Sequence, residues 1–206
     1  MIERALGRVA YEPTWRAMQA FNAARGPQTP DQAWLVEHPP VYTLGLAGRR
    51  EHVLAPGDIP VVATDRGGQV TYHGPGQAVV YLLLDLRRRG LGVRELVRRI
   101  ESGVIALLGD YGIAGVRREG MPGVYVGEAK ISAIGLRIAR GCSYHGVALN
   151  VDMELEPFSR IDPCGYPGLA STQLADLGVR DTIGAVQQNL ARALSRELDP
   201  PCPTPT

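Results

Sequence analysis

The sequence has 206 residues, of which 45% are hydrophobic and 21% charged, so it is long enough to bury one sizeable core. Its 22 basic residues nearly balance its 21 acidic ones. The chain therefore lacks the excess of basic residues that is typical of nucleic-acid-binding proteins. No stretch is long and apolar enough to span a bilayer, and the N-terminus lacks the features of a secretion signal. The three cysteines fit neither a disulfide framework nor a metal site. We therefore expect a soluble, cytoplasmic protein with free thiols.

The first half of the chain predicts one helix and several short strands. Residues 7–11 could form an opening strand, and Thr14 is expected to cap a helix that runs to about residue 24. Further strands are predicted at residues 34–36, 41–44, 61–63 and 78–86. The polar, turn-rich segment from residue 45 to 60 is a candidate mobile loop.

The second half contains the clearest helical pattern. Apolar residues at helical spacing predict a helix over residues 93–111, and Thr182 is expected to cap a final helix. Strands are predicted at 114–118, 123–126, 130–140 and 143–152. This mixture favours an α+β fold in one domain, residues 1–199, followed by a proline-rich tail, residues 200–206, that we expect to be disordered.

A glycine-rich polar loop precedes the buried strand predicted at residues 78–86. Its sequence is Arg66-Gly67-Gly68-Gln69-Val70-Thr71-Tyr72-His73-Gly74-Pro75-Gly76-Gln77. Glycines let the backbone turn and approach a ligand closely, while the loop also offers a cation, a hydroxyl, an aromatic ring and an imidazole. We interpret it as a candidate binding site; the alternative is a pair of ordinary turns with a hydrogen-bonded core histidine.

Cys164 and Lys130 are the candidate reactive residues. Cys164 lies between Pro163 and Gly165 in an irregular segment, a setting that suits a nucleophile but also a small buried hydrophobic side chain. Lys130 begins an apolar strand, where partial desolvation would suit it to proton exchange, although strand-end lysines commonly extend into water. His73 and His145 remain rival bases.

Small and aliphatic residues are predicted to line a pocket on two neighbouring strands. They are Ala133, Ile134 and Gly135 on one strand, and Gly146, Val147 and Ala148 on the other. Such a lining suits an acyl tail better than a sugar or a phosphate, although a closely packed sheet interior would look the same.

Four motifs in this order resemble those of the lipoyl(octanoyl) transferases, which are octanoyl-carrier-protein:protein transferases of lipoate synthesis. They are the loop of residues 66–77, Lys130-Ile131-Ser132-Ala133-Ile134-Gly135, His145-Gly146-Val147-Ala148-Leu149-Asn150-Val151 and Pro163-Cys164-Gly165. The upstream Glu37-His38-Pro39-Pro40-Val41-Tyr42-Thr43-Leu44-Gly45 fits the same family, so the resemblance runs from about residue 37 to 174. Tyr144 and the pair Tyr166-Pro167 are not the residues that we expect at these positions in this family.

The resemblance implies the α+β fold of biotin and lipoate ligases, with a central mixed sheet, and a catalytic pair in which Cys164 is the nucleophile and Lys130 activates it. It implies that substrate is bound by Arg66, Gly67, Gly68, Gln69, Val70, Thr71, Tyr72, His73, Ala133, Ile134, Gly135, Gly146, Val147 and Ala148. No cofactor or metal is implied. The expected partners are octanoyl acyl carrier protein, the apo lipoyl domains of 2-oxoacid dehydrogenase complexes and the glycine cleavage H protein, without nucleic acid or membrane.

Three other functions fit parts of the sequence. An ATP-dependent lipoate or biotin ligase would share the fold but would not need Cys164. A thiol hydrolase would use Cys164 with His73 or His145 and pass the acyl group to water. A carrier-protein-binding module would keep Cys164 as a structural residue.

The only basic cluster, Arg87-Arg88-Arg89, could be a solvated loop or, with Arg49-Arg50, a docking surface for an acidic carrier.

Overall fold

The computed structural model describes residues 1–162 and 168–199. Cys164 and the tail of residues 200–206 therefore lie outside the described residues, and the predictions made for them remain predictions. Within the described part of the chain, no helix is long and apolar enough to cross a membrane.

Runs of strands are interrupted by helices along the described chain. The strands are β1 (Ile2–Arg8), β2 (Gln32–Glu37), β3 (Val41–Leu44), β4 (Val61–Ala63), β5 (Val70–His73), β6 (Gln77–Leu83), β7 (Gly123–Val126), β8 (Ala129–Ala139) and β9 (Cys142–Asn150). The α-helices are α1 (Tyr11–Ala24), α2 (Leu86–Arg89), α3 (Val93–Asp110) and α4 (Ile183–Leu198). Short 3₁₀ helices lie at Arg50–His52, Glu156–Arg160 and Ala175–Leu177.

The strands form two sheets. The larger has the order β1-β2-β6-β9-β8-β7, in which β1 and β2 are parallel and the other neighbours antiparallel. The smaller has the order β4-β3-β5, with β3 parallel to β4 and antiparallel to β5. The predicted α+β fold with a central mixed sheet is confirmed.

The two predicted amphipathic helices cover one face of the larger sheet. The apolar stripes of α3 and α4 pack in the same buried cluster as Val80, Leu82 and Leu149 of the sheet, because strand side chains alternate between the two faces. The other face packs against α1, through Met18 and its neighbours. The predicted cap at Thr182 is confirmed, since its hydroxyl accepts a hydrogen bond from the Ala185 amide at 3.3 Å.

Several local predictions were wrong. Helix α1 begins at Tyr11, so Thr14 lies inside it and its hydroxyl donates to the Ala10 carbonyl at 2.8 Å instead of capping the helix. The opening strand is Ile2–Arg8, an edge strand held by its parallel pairing with β2, which local sequence cannot reveal. In the described chain, residues 114–118 contribute a single bridge, from Val116 to Tyr125, rather than the predicted strand.

The arginine cluster is largely structural. Arg88 and Arg89 bind the buried carboxylate of Asp31, with contacts of 2.7 and 2.6 Å, and Arg25 pairs with the same carboxylate. These pairs attach α2 to the turn before β2. Burial alone would raise the pKa of Asp31, but the Asp85 amide and the arginines lower it. Two of the five arginines considered for docking, Arg88 and Arg89, are therefore engaged within the protein.

Candidate functional site

A central cavity of about 270 Å³ lies beside strands β6, β9 and β8, and residues 66–71 close it from the side of the smaller sheet. Lys130 lines it, as do all the predicted substrate-binding residues except Tyr72. The structure thus brings together three motifs that are about 60 and 15 residues apart in sequence. Cys164 lies outside the described residues.

Tyr72 lies on the other side of its strand. Because side chains alternate along β5, Thr71 and His73 line the central cavity while Tyr72 packs into the smaller apolar cluster. Its ring contacts those of Tyr42 and Phe158, at centroid distances of 5.5 and 5.4 Å. Tyr72 therefore packs on the face of β5 that points away from the central cavity.

Arg66 holds the glycine loop in place. Its guanidinium donates to the Thr43 hydroxyl at 2.9 and 3.1 Å and to the Thr43, Gly67 and Gln69 carbonyls at 2.6, 2.9 and 2.7 Å. The Gly67 amide in turn donates to the Leu136 carbonyl on β8, at 2.8 Å. The Arg66 side chain is only 7% exposed, and these charged hydrogen bonds order the cavity wall.

Two glycines are needed where the cavity wall is tightest. A Cβ atom on Gly146 would lie 2.0 Å from the carbonyl oxygen of Val80, across the β6–β9 pair. A Cβ atom on Gly135 would lie 3.0 Å from the Arg66 side chain. Gly146 thus allows the close backbone packing that sequence analysis gave as the alternative to ligand binding, and the substrate-binding role of both glycines remains a prediction.

Lys130 lines the central cavity and is 8% exposed. It is the only lysine of the sequence, whose other 21 basic residues are arginines. Its amide donates to the Ala170 carbonyl at 2.8 Å, and its carbonyl accepts from the Thr172 amide at 3.0 Å. The chain that resumes after the undescribed residues 163–167 is therefore attached directly to Lys130, and Leu169 and Ser171 line the cavity beside it.

Histidine and tyrosine rings form a cluster at the cavity wall, where His73, Tyr11 and Tyr81 line the cavity and His38 packs against them. His38 bonds through Nδ1 to the Val9 carbonyl and through Nε2 to the Tyr81 hydroxyl, both at 2.6 Å. His73 bonds through Nδ1 to Gln77 at 2.7 Å. Burial lowers the pKa of His38 to about 4 and that of His73 to about 3, so both rings are neutral at pH 7.

Tyr11 also lines the cavity. Its ring stacks on that of His73, with centroids 5.9 Å apart and planes 13° from parallel. Its buried hydroxyl has no hydrogen-bond partner among the described residues, and the nearby Thr64 hydroxyl does not reach bonding geometry. Burial raises the pKa of Tyr11 to about 12.

Asp65 connects this wall to helix α1. Its carboxylate accepts hydrogen bonds from Trp15 at 2.8 Å, Gln19 at 3.0 Å, His145 at 3.0 Å and the Tyr144 hydroxyl. His145 adopts a φ of 60°, which is costly for a residue other than glycine, and its side chain is buried against the carboxylate. Burial lowers the pKa of His145, although its hydrogen bond to Asp65 opposes this.

Sequence analysis missed Asp65, Tyr11 and Tyr81. Asp65 precedes the glycine loop directly, but its partners on α1 and β9 are about 50 and 80 residues away. Tyr11 and Tyr81 belong to apolar elements in which nothing local distinguishes a cavity residue from a core residue. No group of three or more His, Cys, Asp or Glu side chains suited to a metal ion occurs among the residues that the structure describes.

Comparison with known proteins gives consistent results. Residues 10–195 match the family described as lipoyl protein ligase A/B catalytic domain. The chain is 61% identical to an octanoyltransferase of Thiobacillus denitrificans over 198 residues, covering 96% of this chain and 91% of the relative. It is 63% identical to an octanoyltransferase of Alkalilimnicola ehrlichii over 188 residues, covering 91% and 87%.

Two solved structures show the same fold at low sequence identity. A bipartite lipoate protein ligase of Thermoplasma acidophilum superposes with a TM-score of 0.75 at 17% identity, covering 97% of this chain and 84% of its own. The biotin protein ligase of Aquifex aeolicus, in complex with biotin and ATP, superposes with a TM-score of 0.59 at 14% identity, covering 96% and 70%.

Proposed function

Because this chain belongs to the octanoyltransferases of the lipoyl protein ligase A/B catalytic-domain family, we propose that it moves an octanoyl group through a thioester on Cys164. The donor is octanoyl acyl carrier protein, and the acceptor is the target lysine of an apo lipoyl domain. The acceptors include the lipoyl domains of 2-oxoacid dehydrogenase complexes and the glycine cleavage H protein, and the reaction takes place in the cytoplasm.

The observation that carries this proposal is that the only lysine of the sequence is buried in the wall of the central cavity and is hydrogen-bonded to the chain that follows residues 163–167. The chain is attached on both sides of that segment, since the Asp162 amide donates to the His52 carbonyl and Lys130 bonds to Ala170. In the sequence, Cys164 precedes Ala170 by six residues. A cavity of about 270 Å³ with an apolar lining suits one acyl chain.

In the first step the Cys164 thiolate attacks the carbonyl carbon of the carrier's thioester. A new C–S bond forms, the carrier's C–S bond breaks, and the carrier leaves as its thiol after taking up a proton. In the second step the amine of the target lysine attacks the same carbonyl carbon, a C–N bond forms, and Cys164 is released. Thiol exchange is nearly balanced and amide formation is downhill, so the sequence of steps needs no ATP.

Lys130 has two roles in this mechanism. As an ammonium ion it stabilises the Cys164 thiolate, and as an amine it accepts the proton that the incoming lysine loses. An arginine could supply the charge but could not give up its proton. This is a reason for a lysine at position 130 in a chain whose other basic residues are arginines. Backbone amides of the glycine loop are candidates for stabilising the oxyanion.

The proposal is tested by intact mass spectrometry of the protein mixed with octanoyl acyl carrier protein and then with an apo lipoyl domain. We expect a hydroxylamine-labile octanoyl adduct on wild type and on Cys142→Ala, and none on Cys164→Ala. Cys142 is a matched control because burial raises the pKa of its thiol. An adduct on Cys164→Ala, or transfer that requires ATP, would refute the proposal and favour hydrolase or ligase chemistry.

Lys130→Arg separates the two roles of the lysine. It keeps the positive charge, so the octanoyl adduct should still form, but it cannot accept a proton at neutral pH. Transfer to the lipoyl domain should then fall by about 100-fold or more, in the range that general base catalysis contributes. Equal loss of both steps, or of neither, would contradict this division of roles.

A further inference from the structure

The ring of Tyr125 lies beside the amine of Lys130. The two residues pair across the hairpin formed by β7 and β8, and Nζ of Lys130 is 5.3 Å from the centroid of the ring. This distance is within the range of a cation–π interaction, about 6 Å. Tyr125 is fully buried and Lys130 nearly so; the attraction is therefore largely unscreened by water.

Tyr125 is itself held from several directions. Its amide and carbonyl both bond to Val116, at 2.9 and 2.8 Å, and its hydroxyl donates to the Met121 carbonyl at 3.3 Å. The guanidinium of Arg118 also lies over the ring, 4.6 Å from the centroid. The ring is therefore a fixed surface, whereas the four-carbon stem of a lysine is flexible.

We propose that Tyr125 is a positioning residue whose ring face holds the amine of Lys130 at the edge of the central cavity. A group that exchanges protons with a reacting amine must be held close to it, because misplacement by about 1 Å can cost a factor of about 100. Tyr125 does not line the cavity and acts through Lys130. The inference rests on the proposed function, in which Lys130 takes part in the transfer.

The test changes the electronic character of the ring without changing its shape. Tyr125→Phe is the reference, and phenylalanines with one, two and three fluorine atoms are introduced at position 125 by site-specific incorporation. Fluorine withdraws the negative charge from the ring face and weakens its attraction for a cation. A ring that only fills space would not respond to this series.

The rate of octanoyl transfer should fall stepwise with fluorination, from Tyr125→Phe to the trifluorinated variant. We expect the trifluorinated variant to be about tenfold slower than Tyr125→Phe, which corresponds to about 1.4 kcal/mol. Rates that are equal across the fluorinated series would overturn the inference. Unchanged melting temperatures across the series establish that folding is not the cause.

A second measurement does not depend on activity. Because Lys130 is the only lysine, an acetyl N-hydroxysuccinimide ester can modify just two amines of the chain, Lys130 and the N-terminus, and the latter serves as an internal reference. Fluorination should raise the labelling rate of Lys130 relative to the N-terminus severalfold, since the ring no longer holds the amine. An unchanged ratio would overturn the inference.

The two measurements distinguish failure of the inference from failure of the proposed function. If wild type does not transfer octanoyl groups, the proposed function fails, and the labelling ratio still decides whether the ring holds the amine. If wild type is active and the fluorinated series is flat in rate and labelling, the inference alone fails.

Discussion

Replacing Asp65 with asparagine tests how far the cavity wall depends on one carboxylate. Oδ1 accepts hydrogen bonds from Trp15 and His145, and Oδ2 accepts from Gln19 and the Tyr144 hydroxyl. An asparagine amide keeps one acceptor oxygen and presents an NH₂ group in place of the other. Two of the four donor groups would then face the NH₂ group instead of an oxygen, and the other two would donate to an uncharged oxygen.

The cost follows from these contacts. Hydrogen bonds to charged groups contribute about 1.5–3 kcal/mol each and neutral ones about 1 kcal/mol. The Asp65 side chain is 23% exposed, so solvent screens part of the difference, and we expect a total loss of about 3 kcal/mol. For a chain of this length such a loss lowers Tm by roughly 6–12 °C.

Thermal unfolding at pH 7, followed by far-UV circular dichroism, measures this change. The control is Asp58→Asn, the same substitution at an exposed carboxylate that has no hydrogen bond to any described residue. Octanoyl transfer by Asp65→Asn, measured well below its Tm, should also fall, because His145 loses the carboxylate that orients it.

The pH dependence provides an independent check. Burial alone would raise the pKa of Asp65, but hydrogen bonds from His145, Tyr144, Gln19 and Trp15 together hold it well below its usual range. The stabilisation is therefore present above the unfolded pKa, about 4, and is lost as the pH falls through the folded value. The gap between wild type and Asp65→Asn should be constant from pH 5 to 7 and should narrow below about pH 4. A Tm equal to that of Asp58→Asn would refute the reasoning.

Three further predictions concern the wall and its buried polar groups. Gly146→Ala would place a methyl group 2.0 Å from a β6 carbonyl and should lower Tm by several degrees in calorimetry, whereas Gly184→Ala, in open space on α4, should leave it equal or slightly higher. Because burial lowers the pKa of His38 to about 4 and of His73 to about 3, the unfolded chain binds their protons first, and Tm should fall as the pH drops from about 6.5 toward 4; a flat profile would contradict this. Tyr11→Phe removes a buried hydroxyl without a described partner, so Tm should stay the same or rise by about 2–4 °C, and a clear fall would show that the hydroxyl is bonded.

Local sequence was sufficient for much of the fold. The apolar stripes of α3 and α4 and the long strands β8 and β9 were predicted nearly to their observed bounds, because periodicity and turn residues are properties of the chain itself. The motifs of the glycine loop, β8 and β9 also predicted a shared pocket, and the structure brings them together around one cavity.

Other features depended on pairing that the sequence does not encode locally. The direction of Tyr72 followed from the registration of β5 against β3, which turns alternate side chains away from the cavity. Edge strand β1 exists because β2 offers it a partner, and residues 114–118 lack such a partner over most of their length.

The sequence by itself determined the family, the three long helices, the main strands and the motifs that meet around the central cavity, since each leaves a pattern in neighbouring residues. Only the tertiary structure decided that Asp65 joins α1 to β9, that Arg66 is engaged with the loop it begins, and that the ring of Tyr125 faces Lys130. The physical reason is that a hydrogen bond or a cation–π contact depends on distance in space. Residues far apart along the chain acquire that proximity only when the sheets form.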